Sequence, residues 1–248
     1  MLIITKPKTL KIPMKMKQYF SNYFKIIYNS LESIDSAHLE QAVNMVGETH
    51  QSNKKIIVVG NGGSAAMASH VSVDFVKAAG IGAINFNEAD LLTCFSNDYG
   101  YEHWVEKAIE AYADKGDLLI LISSSGKSMN IINGALKAKD MGLSVITVSG
   151  FSSDNPLRKL GDLNLWVDSI EYNIVEMTHH IWLVAIIDYL VKDKDLENAY
   201  ENAQEILKIK VNQLKESLVQ TKKNQIQSDL NFVSNYSKEE YFSIISQA

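Results

Sequence analysis

Leu119-Ile-Leu-Ile-Ser-Ser-Ser-Gly-Lys-Ser128 is the stretch that decides the fold. An apolar run stops at hydroxyls gathered around one glycine, Gly126, and a helix-compatible stretch follows at once. The pattern reads as a buried strand feeding a tight turn at a helix N-terminus. There the backbone N–H groups have no intrahelical partner, and the helix dipole favours an anion. Serine hydroxyls add donors without bulk, and glycine lets the backbone come close to a ligand. The lysine-bearing loop of nucleotide hydrolases, G-x-x-x-x-G-K-[ST], is missing, so the turn points to a small phosphorylated metabolite instead.

A second unit of the same kind lies upstream. Lys55-Ile-Ile-Val-Val-Gly60 reads as a strand, Asn61-Gly62-Gly63-Ser64 as a turn, and Ala65 to Val76 as a helix. Two strand–turn–helix units of this kind predict one pocket above the carboxyl ends of a parallel sheet. Strands are expected near 55–59, 82–86, 118–122, 143–148 and 163–167, and helices near 64–78, 88–95, 101–113, 128–141 and 173–192. The alternation gives a doubly wound α/β fold, a five-stranded parallel sheet flanked by helices in the flavodoxin-like manner. Pro156 should close a loop before a short helix or turn.

Three segments are expected: an N-terminal helical segment over 1–50, the α/β domain over 51–192, and a polar C-terminal extension over 193–248. Residues 1–16 read as a loose start. Phe20, Tyr23, Phe24, Ile27 and Leu31 follow at helical spacing, and Asp35 or Ser36 can cap a second helix through Met45. In the extension, Leu196, Tyr200, Ala203, Ile206, Leu207, Val211 and Leu214 keep a helical period over 195–220. That segment is either an amphipathic helix that packs on a neighbour or a solvated one. Residues 221–248 are expected to be poorly ordered.

Charge and composition narrow the class. A net charge of −5 gives no basic field for nucleic acid or an anionic membrane, so a phosphate site must be built from dipoles and hydroxyls. The single cysteine, Cys94, excludes an internal disulfide and a cysteine-cluster metal site, and is expected in a half-buried helix. The apolar run Ile181 to Val191 is broken by Asp188 and is too short to span a bilayer. The N-terminus has lysines without an apolar signal region, which makes the cytoplasm the expected location.

Four motifs in order resemble the SIS (sugar isomerase) domain: Gly60-Asn61-Gly62-Gly63-Ser64, Ser96-Asn97-Asp98-Tyr99-Gly100-Tyr101-Glu102, Gly116-Asp117 leading to Ser123-Ser124-Ser125-Gly126-Lys127-Ser128, and Val145-Ile146-Thr147-Val148-Ser149-Gly150. The resemblance spans about residues 17–192 and is greatest to the phosphoheptose isomerase group, which interconverts sedoheptulose 7-phosphate and a heptose 7-phosphate. It implies a phosphosugar site built from Gly62, Gly63, Ser64, Ser123, Ser124, Ser125 and Ser128, with Asn61 and Asp98 lining the sugar. It also implies a homo-oligomer, a dimer or tetramer, with active sites at subunit interfaces and the N-terminal helices in the assembly. Lys127, where the family often has Asn, is expected to point to solvent.

Aldose–ketose isomerisation moves a proton between adjacent carbons through an enediol. It needs a base, a group that polarises the carbonyl, and shelter from water. His70 and Asp74 are four residues apart and share one helix face. A His and a carboxylate at that spacing can bind a metal or form an acid/base pair, or can simply be a surface pair. The resembled enzymes have His and Glu at these two positions. Glu176, His179 and His180 cluster on the helix expected over 173–192. The family's Gln and catalytic His there fall, without gaps, at Val175 and Leu183, with His179 midway. The family's phosphate-side arginine falls at Ala78, and its acidic residue before the helix at Tyr172.

These departures leave three readings: an isomerase whose acid/base set has moved to Glu176, His179 or His180; a true heptose isomerase in another helix register; or a non-catalytic protein that binds a sugar phosphate or a protein partner, like the relative that binds the replication initiator DnaA. Zinc held by His70, Asp74 and His179 is the expected cofactor if a metal is used.

Overall fold

A computed structural model describes residues 15–234 and residue 240. The described elements run α1 (Met16–Leu31), α2 (Ser36–Gln51), β1 (Ile56–Gly60), α3 (Gly63–Asp74), β2 (Ala83–Asn85), α4 (Ala89–Tyr99), α5 (Trp104–Tyr112), β3 (Leu118–Ser123), α6 (Met129–Asp140), β4 (Ser144–Ser149), β5 (Leu163–Trp166) and α7 (Tyr172–Ser234). The chain divides into two units, Met1–Lys192 and Asp193–Ala248. The expected loose start over 1–16 lies almost wholly outside the described residues.

All five expected strands form, and they pair in parallel in the order β2-β1-β3-β4-β5. Parallel strands buried on both faces need near-continuous apolar runs, and β1 and β3 have them. Side chains alternate across the sheet. Ile56, Val58, Leu118, Ile120, Ile122, Ile146 and Val148 share one core with Ala42 and Val46 of α2, Met67 and Val71 of α3, and Trp182 and Leu183 of α7. Ile57, Val59, Leu119, Leu121 and Val145 share the other with Trp104, Val105 and Ile109 of α5 and Ile131 and Ala135 of α6. At the foot of the sheet the buried Asp117 carboxylate accepts from the backbone N–H groups of Lys55 (3.1 Å) and Asp114 (2.8 Å) and pairs with Lys55 Nζ at 2.6 Å.

Helix boundaries depart from the sequence reading in a few places. Asp35 does cap α2, accepting from Ala37 N at 3.0 Å, but the helix runs to Gln51. The helix after the first turn ends as an α-helix at Asp74, widens into a π-turn over Phe75–Ala79, and stops at Gly80. Cys94 is exposed on α4, not half-buried. Residues 221–234 continue α7 as helix, and the rest of 221–248 lies outside the described residues apart from residue 240. Tyr172–Lys192, which contains the Ile181–Val191 run, is long and apolar enough by composition to cross a membrane. About 44% of its most apolar 18-residue window is buried in the fold, with Ile174, Val175, Trp182, Leu183, Ile186 and Ile187 in the core.

Candidate active site

The strand order reverses between β1 and β3, and both Gly/Ser turns leave the carboxyl ends of those strands. A doubly wound sheet opens its ligand crevice at such a point. A cleft of about 130 Å³ sits there, lined by Asn61, Ser64, Ile122, Ser123, Ser124, Ser125, Ser128, Tyr172 and Glu176.

The serine turn is shaped by Gly126. Its φ of 62° lies in the left-handed region, and a Cβ there would stand 2.0 Å from Asn155 Oδ1. Asn155 is buried and holds together the 149–158 loop that packs against the turn. Its Nδ2 donates to Ser149 Oγ (3.1 Å) and to the Ser152 carbonyl (2.9 Å), and its Oδ1 accepts from Arg158 N (2.9 Å). Ser128 is the N-cap of α6, yet its hydroxyl caps no backbone N–H. The first N–H groups of α6 are thus left for a ligand. Among the described residues lining the cleft there is no Lys, Arg or His. Lys127 is exposed, as expected.

Two asparagines 69 residues apart lock the turns together. Asn61 Nδ2 donates to Asn130 Oδ1 (3.0 Å), Asn130 Nδ2 donates back to Asn61 Oδ1 (2.9 Å), and Tyr101 Oη adds a third bond to Asn61 Oδ1 at 3.2 Å. One amide hydrogen of Asn61 is left over for a ligand. The carboxylate of Glu176 enters from α7 and accepts from Ser124 Oγ at 3.5 Å. It rests on Gly63, where a Cβ would lie 2.4 Å from Glu176 Oε2. Glycine at 63 is what lets the acid reach the cleft.

A second cluster lies one turn further along α7. Asp74 Oδ2 is 3.0 Å from His70 Nε2, and His70 Nδ1 is 2.9 Å from His180 Nε2. One tautomer set satisfies both contacts: His180 Nε2–H donates to His70, and His70 Nε2–H donates to Asp74. Burial is the main cause holding the His180 imidazole below its ordinary pKa, helped by the His70 charge and opposed by Asp74. By contrast, His179 is fully buried. Its Nε2 donates to the Ser149 carbonyl at 3.0 Å, its Nδ1 has no partner, and burial pushes its pKa down to about 4 against the pull of that carbonyl.

Residues 18–150 match the SIS domain family. The chain belongs to that family. It is 31% identical over 179 residues to the phosphoheptose isomerase of Helicobacter pylori strain P12, covering 70% of this chain and 92% of that one. It is 37% identical over 147 residues to the phosphoheptose isomerase of Aliarcobacter butzleri, covering 57% and 77%. The phosphoheptose isomerase structure from Neisseria gonorrhoeae superposes with a TM-score of 0.65 at 26% identity, over 71% of this chain and 98% of that one.

The SIS frame therefore brings together Asn61, Ser64, Ser123, Ser124, Ser125, Ser128 and Glu176, and close by Gly63. His70, Asp74 and His180 form a separate cluster. Three expected members fall elsewhere. Gly62 shapes the first turn at φ 55° without lining the cleft. Asp98 is exposed on α4 and is taken up by Asn97 Nδ2 (2.9 Å) and Cys94 Sγ (3.7 Å). His179 is turned into the core with Val175 and Leu183, because residues four apart share one helix face and that face packs on the sheet.

The zinc set of His70, Asp74 and His179 is not assembled. Among the described residues no three His, Cys, Asp or Glu side chains are grouped to hold a metal ion. Both ring nitrogens of His70 are already engaged by Asp74 and His180. The side chains as placed fit a hydrogen-bonded chain and not a zinc site.

Proposed function

We propose that this protein is an aldose–ketose isomerase of phosphorylated sugars, taking sedoheptulose 7-phosphate or a sugar phosphate of similar size, with Glu176 as the proton carrier. One observation carries the reading: a single cleft holds both the serine turn and the Glu176 carboxylate. The phosphoheptose isomerase relatives support the reaction class.

The phosphate binds to the free N–H groups at the start of α6 and to the hydroxyls of Ser64, Ser123, Ser124, Ser125 and Ser128. Asn61 offers its remaining amide hydrogen to a sugar hydroxyl. Glu176 takes the proton from the carbon beside the carbonyl and returns it to the neighbouring carbon. The His180–His70–Asp74 chain begins one turn along α7, about 6 Å from Glu176 at 1.5 Å rise per residue. It supplies a route for the hydroxyl protons that must also move.

Glu176→Gln keeps the shape and removes the base. The expected result is a fall in kcat on the order of 10² to 10⁴, with inorganic phosphate binding unchanged within about twofold. Turnover within about threefold of the unaltered enzyme would refute the assignment.

Burial of Val175 and Leu183, where the resemblance places Gln and a catalytic His, favours a second reading: a sugar-phosphate-binding protein without turnover. Product formation from sedoheptulose 7-phosphate separates the two. The reading also includes a homo-oligomer. Its support is α1, which has no buried residue and presents Tyr19, Phe20 and Phe24 to solvent.

A further inference from the structure

The cleft is open to solvent at its mouth. On the α7 side that mouth is made by Tyr172 and Glu176, four residues apart and on one helix face. Tyr172 is 60% exposed. Its ring is propped edge-to-face by Phe151, with centroids 4.9 Å apart and planes at 69°. Phe151 in turn is held at φ 56°, a left-handed conformation that bulky side chains rarely adopt, with its N–H on the Ser169 carbonyl at 2.9 Å. Strained backbone of this kind persists only where the surroundings over-determine it, and it gathers at ligand sites. Here it sets a brace beneath an exposed aromatic ring at the rim of the cleft.

Resting on the isomerase reading above, we infer that Tyr172 is the platform on which the sugar part of the substrate packs, and that it sets the preference for a sugar phosphate over bare phosphate. The face of an aromatic ring is electron-rich and attracts the slightly positive C–H hydrogens on the apolar face of a sugar. The phenol can also exchange a hydrogen bond with a sugar hydroxyl. The lining offers no cation to tell one phosphorylated ligand from another, so discrimination must come from contacts to the carbon chain. Tyr172 is the one large aromatic among the described residues lining the cleft.

The test compares dissociation constants for sedoheptulose 7-phosphate and inorganic phosphate by calorimetry on the full-length protein, for the unaltered chain, Tyr172→Phe and Tyr172→Ala, alongside kcat and KM. In the unaltered chain the sugar phosphate should bind more tightly. Tyr172→Ala should weaken it on the order of tenfold, with phosphate changed by less than about twofold. Tyr172→Phe should keep most of the gain. Equal weakening of both ligands would mean that Tyr172 only supports the serine turn, and would overturn the platform. No change in either, or no preference in the unaltered chain, would overturn it as well. Preference erased by Tyr172→Ala in a protein that forms no product would uphold the platform and refute the isomerase. Full turnover with unchanged KM in Tyr172→Ala would do the reverse.

Discussion

Adjacent on α7, His179 and His180 occupy opposite environments. His180 reaches His70 at the surface, whereas His179 is sealed against β4 with one ring nitrogen unpartnered. A histidine whose folded pKa lies below its unfolded value stabilises the fold above the unfolded pKa, and that stability is lost as pH falls toward the folded pKa. For His179 the window runs from 6.5 down to about 4, and the loss is about 3 kcal/mol at about 1.4 kcal/mol per pH unit. Denaturant midpoints measured across this range should fall in the unaltered protein. They should fall much less in His179→Gln, which can still donate to the Ser149 carbonyl, and turnover at neutral pH should survive that change. Gly126→Ala should be far more damaging. Its left-handed backbone and the Asn155 side chain leave no place for a methyl, so we expect at least about 1–2 kcal/mol of destabilisation in denaturant melts, with phosphate binding lost. The serine turn was legible because its signal is local: an apolar strand, hydroxyls, a glycine and a helix within ten residues. Asn130 was not, because what gives it its role is a partner brought near by the fold. For the Asn130–Asn61 pair that partner is 69 residues away. His179 misled because helical spacing says which residues share a face, not whether that face meets the cleft or the core.

At the scale of elements, the strands matched their expected places closely, since buried parallel strands are continuous apolar runs that punctuation brackets. Helix ends were less legible. The π-turn after Asp74 depends on packing of Phe75 and Ala79 into the core, which no periodicity announces. Helix α1 displays the same limit from the other side. Its apolar period was plain, but no residue of it is fully buried in the described fold, and Leu31 at its end packs against the core. If a second copy covers that face, Phe24→Glu places a charge at its centre, and sedimentation velocity at micromolar concentration should show smaller species than the unaltered protein. An unaltered protein that sediments as a monomer would remove the oligomer from the proposal.

The whole molecule separates what the SIS fold needs from what this chain adds. Both cores and every residue lining the cleft lie before Lys192. The match to the Helicobacter relative covers nearly all of that protein but 70% of this one. A chain ending at Lys192 is therefore expected to isomerise within about threefold of full length, and loss of turnover with the fold retained would assign the second unit a part in the chemistry. The doubly wound architecture was legible from the alternation of strands and helices, and the extension from its polar composition.

The cationless lining has a consequence for how substrate arrives. A binding site ringed by lysines draws a phosphate ester through solution, and its second-order rate drops as salt screens that pull. A phosphate ester bound here as proposed would meet only short-range dipoles among the described lining residues, within a molecule whose net charge is −5. On the proposed reading, encounter is expected to be unassisted and faintly repelled. Raising potassium chloride from about 20 mM to 200 mM, which shortens the Debye length severalfold, should leave kcat/KM level or lift it slightly.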